Sequence, residues 1–125
     1  MSTILIVDDD EQVRVMLKLT LEREGYAVDE AQDGVEALRK YDPAHHDLII
    51  TDIVMPEKEG IETIMELQGR NRWIKIIAIS GGGRINPEDY LKWARRFGVE
   101  HTFTKPVDRS QLLAAVSELL DGVPT

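Results

Sequence analysis

Five strand-length runs, each followed by a segment whose apolar residues recur at helical spacing, constrain this chain more than any other feature. They are residues 3–7, 26–31, 48–51, 74–79 and 100–104, of which 48–51 is short, unbroken and rich in apolar and β-branched types. Between them, Val13, Met16, Leu17, Thr20 and Leu21 make one helical stripe, and Val35 and Leu38 open a second that Pro43 bounds. Ile61, Ile64, Met65 and Gln68 make a third; Tyr90, Ala94 and Phe97 a fourth; Leu112, Leu113, Val116, Leu119 and Leu120 a fifth. Asp9 or Asp10 is placed to cap the first helix and Asp108 or Ser110 the last, with Gly25 and Gly98 as stops. Strict alternation implies a parallel sheet with helices on both faces, because each crossover has to return over the sheet. Residues 26–31 alternate apolar and polar, which suits an edge strand. The runs before Asp8, Asp52 and Ser80 do not alternate, which suits strands buried on both faces. At 125 residues the chain holds one core, so residues 1–125 are expected to form one domain.

The net charge of −8 argues against sequence-independent nucleic-acid binding, which needs a basic footprint, and against docking on anionic membranes. The absence of cysteine excludes disulfides and thiolate metal sites. No apolar stretch approaches the roughly 20 residues of a membrane helix. The N-terminus lacks the basic lead and cleavage site of a signal peptide, so a cytoplasmic location is expected.

In an open parallel sheet the carboxyl ends of the strands share one edge, where ligands bind. That edge receives Asp8 and Asp9 from the first strand, Asp52 from the third, Ser80 from the fourth and Lys105 from the fifth. Two carboxylates about 4 Å apart repel by on the order of 4 kcal/mol at an effective dielectric near 20. A hard divalent cation relieves this; oxygen donors without cysteine point to Mg²⁺, or Mn²⁺, over zinc. A carboxylate nucleophile beside a cation and an ammonium suits phosphoryl transfer, with Asp52 as acceptor and Ser80 as a donor to a phosphoryl oxygen. Asp52 opening an ordinary turn is the bland alternative.

These residues carry a resemblance. Ile4-Leu5-Ile6-Val7-Asp8-Asp9-Asp10, Asp52 to Pro56 with Gly60 downstream, Ile79-Ser80-Gly81 and Lys105-Pro106 stand in the order of the receiver domain of bacterial two-component response regulators. Each motif alone is weak; the four together cover essentially the whole chain. The resemblance implies a single flavodoxin-like (βα)5 domain with a doubly wound five-stranded parallel sheet of order 2-1-3-4-5. It implies phosphorylation of Asp52 by a histidine kinase or phosphotransfer protein. Asp9, Asp52 and the Val54 backbone carbonyl would hold Mg²⁺, with Asp8 acting mainly through a metal-bound water. Ser80 and Lys105 would contact the phosphoryl group, and the Lys105-Pro106 bond would be cis. Output would pass to an effector protein through the face made by the fourth helix, fifth strand and fifth helix, from a monomer or a phosphorylation-dependent dimer.

The sequence departs from that pattern in three places. Where receivers commonly carry an aromatic residue three positions before the lysine, Thr102 stands, and Phe103 points to the other face. Three consecutive glycines, Gly81 to Gly83, follow Ser80, so ordering of residues 81–86 is expected to replace ring rotation as the main switch. Val54 cannot orient a hydrolytic water, so slow self-dephosphorylation is expected. Val54 also argues against the rival reading, a Mg²⁺-dependent phosphatase passing through an aspartyl phosphate, which usually places an acid there. A non-phosphorylated docking module is the third reading, and the intact acids, hydroxyl and lysine speak against it.

Other residues take plainer roles. Asp10 reads as a helix cap. His45-His46 reads as a solvated loop, since adjacent residues rarely point together and no third metal ligand is evident. His101 reads as structural, and Trp93 either as a partner anchor or as partly buried. The last helix ends near Asp121-Gly122, so either a protein partner carries the output or the chain is a segment of a longer protein.

Overall fold

In the computed structural model of the chain, residues 2–53, 59–80, 92, 95–99 and 101–121 are described, with the side chains of residues 59 and 60 left aside. The strands are β1 (Thr3–Val7), β2 (Ala27–Ala31), β3 (Leu48–Asp52), β4 (Ile76–Ser80) and β5 (His101–Thr104). The helices are α1 (Glu11–Arg23), α2 (Gly34–Lys40), α3 (Glu59–Arg70) and α4 (Arg109–Asp121). All strand pairs are parallel, in the order β2-β1-β3-β4-β5. The parallel sheet is the one that the alternation of runs and stripes implied, and its doubly wound, flavodoxin-like order is the one that the resemblance implied. Lys92, Arg95 and Arg96 are helical and exposed where the fourth stripe was read; Tyr90, Trp93 and Ala94 lie outside the described residues.

Every residue of β1, β3 and β4 is buried, whereas β2 buries only its last residue. The absence of alternation in the three inner strands follows, since a helix layer covers each face. On one face Leu5, Val7, Ile49, Ile53, Ala78, Ile64 and Leu67 pack together with Ala37 and Tyr41. On the other, Ile4, Ile6, Ile50, Ile77 and Ile79 meet Leu17 and Leu21 of α1 and Leu112, Ala115 and Val116 of α4. Each such fully buried aliphatic side chain contributes about 1.5–3 kcal/mol relative to exposure.

The caps settle two alternatives. Asp10, not Asp9, caps α1 by accepting from Gln12 and Val13 amides. Asp108, not Ser110, caps α4, accepting from the Gln111 amide at 3.0 Å. Gly25 and Gly98 both have positive φ, +90° and +81°, which suits their place just past helix ends. The Lys105-Pro106 bond is cis.

Several expectations need correction. The fourth strand starts at Ile76, not residue 74, because the Ile74 amide donates back to Asn71 in a turn. The second starts at Ala27, and the third runs one residue further than expected, to include Asp52. Val35 and Met65 are exposed, although both were read into apolar stripes. Val35 sits in the first turn of α2, ahead of its buried Ala37, and Ile64 with Leu67 carries the buried side of α3.

Candidate functional site

Parallel register carries the strand ends to one edge. Val7 pairs with Thr51 and Asp52 with Ile79, so Asp8, Asp52 and Ser80 follow one another across β1, β3 and β4. The Lys105 amide donates to the Ser80 carbonyl at 2.8 Å, which sets Lys105 beside them. Asp8, Asp52 and Ser80 are all buried; Asp9 is exposed and Lys105 half-buried.

Lys105 is the hub. Its Nζ donates to Asp52 Oδ2 at 2.8 Å and lies 3.0 Å from Asp8 Oδ2. The second contact is an ion pair outside hydrogen-bond angles, so Asp8 Oδ2 has no hydrogen-bond donor among the described residues. Asp8 Oδ1 accepts the Asp10 amide at 2.8 Å. Burial pushes the Asp8 carboxyl above its usual range, against the Asp10 amide and Lys105, which pull it down. Burial also pulls the Lys105 ammonium down, but Asp52 and Asp8 together outweigh it and hold the group above the ordinary lysine value. The two directions belong to one cluster, in which a single ammonium serves two buried carboxylates.

Carboxylate oxygens of Asp8, Asp9 and Asp52 lie within 4.8 Å of one another. An all-oxygen donor set with an undercompensated buried acid fits a hard divalent cation. Ser80 Oγ is fully buried and has no hydrogen-bond partner among the described residues, as a donor held for a ligand would be. Val54, expected to lend its carbonyl, lies outside the described residues, as does the glycine run 81–83.

Arg14 was missed by the sequence reading. It donates to the Asp8 carbonyl at 2.6 Å and pairs with Glu30 at 3.5 Å, tying the acidic loop to β2. Its place one turn into α1, on the side facing β2, was the available signal.

The His45-His46 loop also needs correction. His46 is buried, not solvated, and the adjacent rings do converge: their Nε2 atoms lie 3.5 and 2.8 Å from Asp29 Oδ2. The tight turn from Asp42, whose carbonyl accepts both histidine amides, brings the rings to one side. Asp29, Asp42 and Tyr41 were the partners that spacing alone could not supply. The Asp42 amide donates to His46 Nδ1 at 3.0 Å, which places the ring proton on Nε2, facing Asp29. A protonated nitrogen has no lone pair for a metal, so the trio is a hydrogen-bonded clasp from β2 to the loop before β3. The His46 hydrogen bond holds the Asp29 carboxyl below the usual range, against partial burial.

A parallel α/β sheet with an acidic trio and a lysine at its carboxyl edge is the arrangement that the receiver resemblance implied. A family profile described as the response regulator receiver domain matches residues 4–117. The chain is 36% identical over 117 residues to the chemotaxis protein CheY of Halobacterium salinarum, covering 94% of this chain and 95% of the relative. It is 33% identical to the transcriptional regulatory protein ResD of Bacillus subtilis, of which it spans 47%. A CheY-like receiver domain protein from Methanospirillum hungatei superposes with a TM-score of 0.86 at 30% identity, over 98% of this chain and 95% of that one. The response regulator TrrA of Thermotoga maritima, solved in complex with Mg(2+)-BeF, superposes with a TM-score of 0.80 at 34% identity, over 96% and 100% of the two chains. The chain belongs to the response regulator receiver domain family and is a phosphorylation-dependent signalling receiver of two-component systems. The family is one of signalling domains rather than enzymes in the ordinary sense, and its members work with histidine kinases and effectors. No helix of the described residues is long and apolar enough to cross a membrane.

Proposed function

We propose that Asp52 is the phosphoacceptor of this receiver. The observation that carries the reading is the Lys105 ammonium, held between Asp52 at 2.8 Å and Asp8 at 3.0 Å on a buried sheet edge. An Asp52 carboxylate oxygen attacks the phosphorus of a phosphohistidine or small acyl phosphate; the donor's P–N or P–O bond breaks, and the donor keeps that electron pair. Lys105 then exchanges its contact with the carboxylate for one with a phosphoryl oxygen, and Ser80 Oγ donates to another. Asp8, Asp9 and Asp52, with the Val54 carbonyl, would hold Mg²⁺, which when bound neutralises charge on the transferring group. Asp8 would serve mainly through a water on that ion.

The chain takes its phosphoryl group from a histidine kinase or phosphotransfer protein in the cytoplasm. Its own chemistry is limited to self-phosphorylation from a donor and slow self-dephosphorylation, because Val54 offers nothing to orient water. An effector protein reads the state at the face containing β5 and α4, with the receiver either monomeric or dimeric on phosphorylation. Arg95, Thr102, Phe103, Gln111, Ala115 and Glu118 border an open cavity of about 380 Å³ there, which supports this choice of face.

The test is acyl-phosphate formation. Incubation with acetyl phosphate and Mg²⁺ should add one phosphoryl mass, absent in Asp52→Asn and absent with a chelator. An adduct that persists in Asp52→Asn moves the acceptor elsewhere. No adduct on folded wild type leaves a docking module.

A further inference from the structure

At the sheet edge opposite Asp52, Trp73 is 77% exposed, the most exposed large apolar residue among those described. Burial of an indole contributes more than burial of almost any other side chain, so full display is unusual. The Arg72 guanidinium lies 5.0 Å from its ring centroid, a cation–π contact that stiffens both groups.

The local charge is opposite to that of the chain. Residues 69–75 hold Arg70, Arg72 and Lys75 and no acid, in a protein of net charge −8. Among the described residues none of the three pairs with a carboxylate. Arg70 donates to the Leu38 carbonyl at 2.5 Å, Lys75 to the Leu119 carbonyl at 2.6 Å, and Arg72 stacks on Trp73. Two acids border the same surroundings: Asp47, whose carboxylate accepts the Thr3 amide at 2.8 Å, and the exposed Glu118, 3.5 Å from His101 Nε2 without a hydrogen bond.

Trp73 also has room on both sides. One cavity of about 230 Å³ runs from Trp73 past Asn71 and Tyr41 to Ser2, and another of about 360 Å³ runs past Gly98 to Leu119. An indole standing between two grooves, ringed by cations without carboxylate partners, matches an extended chain with alternating apolar and acidic side chains. Nucleic acid fits less well, because its affinity grows with the number of phosphates neutralised and this patch offers only a few cations beside one indole.

We propose that Arg72, Trp73 and Lys75 form a docking site for an acidic, apolar-anchored peptide segment of a partner protein. Four buried residues of β4, Ile76 to Ile79, separate Lys75 from Ser80, about 16 Å along the strand. Docking here therefore leaves the acceptor edge open, and the site does not depend on the role assigned to Asp52.

The test uses a synthetic peptide of about ten residues alternating glutamate and leucine, with a lysine–leucine peptide as control, titrated into ¹⁵N-labelled protein. The acidic peptide should shift the Trp73 indole and the amides of Asn71, Arg72 and Lys75, and the control should not. Trp73→Ala should weaken binding at least about tenfold, as should Arg72→Glu, with the remaining amide spectrum unchanged. No shift at millimolar peptide overturns the proposal, as do equal shifts with both peptides or shifts confined to β5 and α4. Concentration-dependent shifts without peptide, lost in Trp73→Ala, also overturn it and assign the patch to a second copy of the chain.

Discussion

Lys105 Nζ and Asp52 Oδ2 stand 2.8 Å apart, and the same ammonium reaches Asp8 Oδ2 at 3.0 Å. One cation thus holds two buried acids that come from different strands. Removing it leaves both without their main counter-charge, and an uncompensated buried charge costs more than the pair contributes. Lys105→Met is expected to lower stability by about 3 kcal/mol at pH 7 in chelator. Urea denaturation checks this; an unchanged midpoint would mean that the acids are screened by something else.

The acidic cluster also sets a pH dependence. The Asp8 carboxyl is raised by burial, so the folded state holds its proton more tightly than the unfolded chain does. As pH rises from the unfolded value near 3.8 through the raised folded value, the folded state binds more protons, and stability falls. Asp8→Asn should remove that decline and be the more stable form at pH 7 without metal. Lys105 acts at the other end: its contribution is fully present below 10.5 and lost as pH rises through its higher folded value. Urea midpoints from pH 4 to 11 in chelator resolve both slopes, and parallel curves for Asp8→Asn and wild type would contradict the account.

A divalent cation should stabilise the fold through the same acids. At a hundred times its dissociation constant, Mg²⁺ is expected to add about 2.7 kcal/mol. Asp9 is exposed and outside the lysine's contacts, so Asp9→Asn should keep its metal-free stability while losing most of the Mg²⁺ increment. Thermal melts with and without Mg²⁺ separate the two effects. A full increment in the variant would take Asp9 out of the ligand set.

The sheet and its acidic edge were legible because both depend on local patterns. Inner strands such as 48–51 betray themselves by unbroken apolar residues, and parallel topology then sends Asp8, Asp52, Ser80 and Lys105 to one edge without further information. What stayed illegible depends on side-chain reach across elements. The ring of His46 meets Asp29, 17 positions earlier in the chain, only because a turn at Asp42 folds it back. Ile74 looked like strand because it is apolar, yet its amide closes a turn on Asn71. Met65 fitted the helical period but faces outward, since a stripe of period 3.6 does not say how wide the buried face is.

The clasp from β2 to the His46 loop should be structural. His46 donates to Asp29 at 2.8 Å and accepts the Asp42 amide at 3.0 Å. His46→Leu leaves that amide without its acceptor, at a cost of about 1–3 kcal/mol. The Asp29 carboxyl is held low by His46, so its contribution is present above the unfolded value near 3.8 and fades as pH falls through the lower folded value. Phosphoryl uptake from acetyl phosphate should be unchanged in the variant once the fold is intact, because the clasp lies away from the edge that carries Asp52, the proposed acceptor. A variant that folds yet phosphorylates slowly would show that the loop is coupled to the site.

The two residues before Thr104 divide the work at β5. Thr102 pairs with Ala78 and Phe103 with Ile79, so they face opposite layers. Ala78 belongs to the cluster of Ile49 and Leu67, whereas Phe103 packs with Ile79, Leu112 and Val116. Phe103 is therefore part of the contact between β5 and α4, and Phe103→Ala should cost about 2 kcal/mol of stability through lost packing. Thr102 has no ring to rotate, and Thr102→Ala should change stability by less than about 0.5 kcal/mol. If the switch runs through the backbone joining Ser80 and Lys105, neither substitution should abolish the amide shifts that a phosphoryl analogue produces in α4. Comparing those shifts in the two variants and wild type decides the matter: loss in Phe103→Ala alone would make that ring the moving part after all.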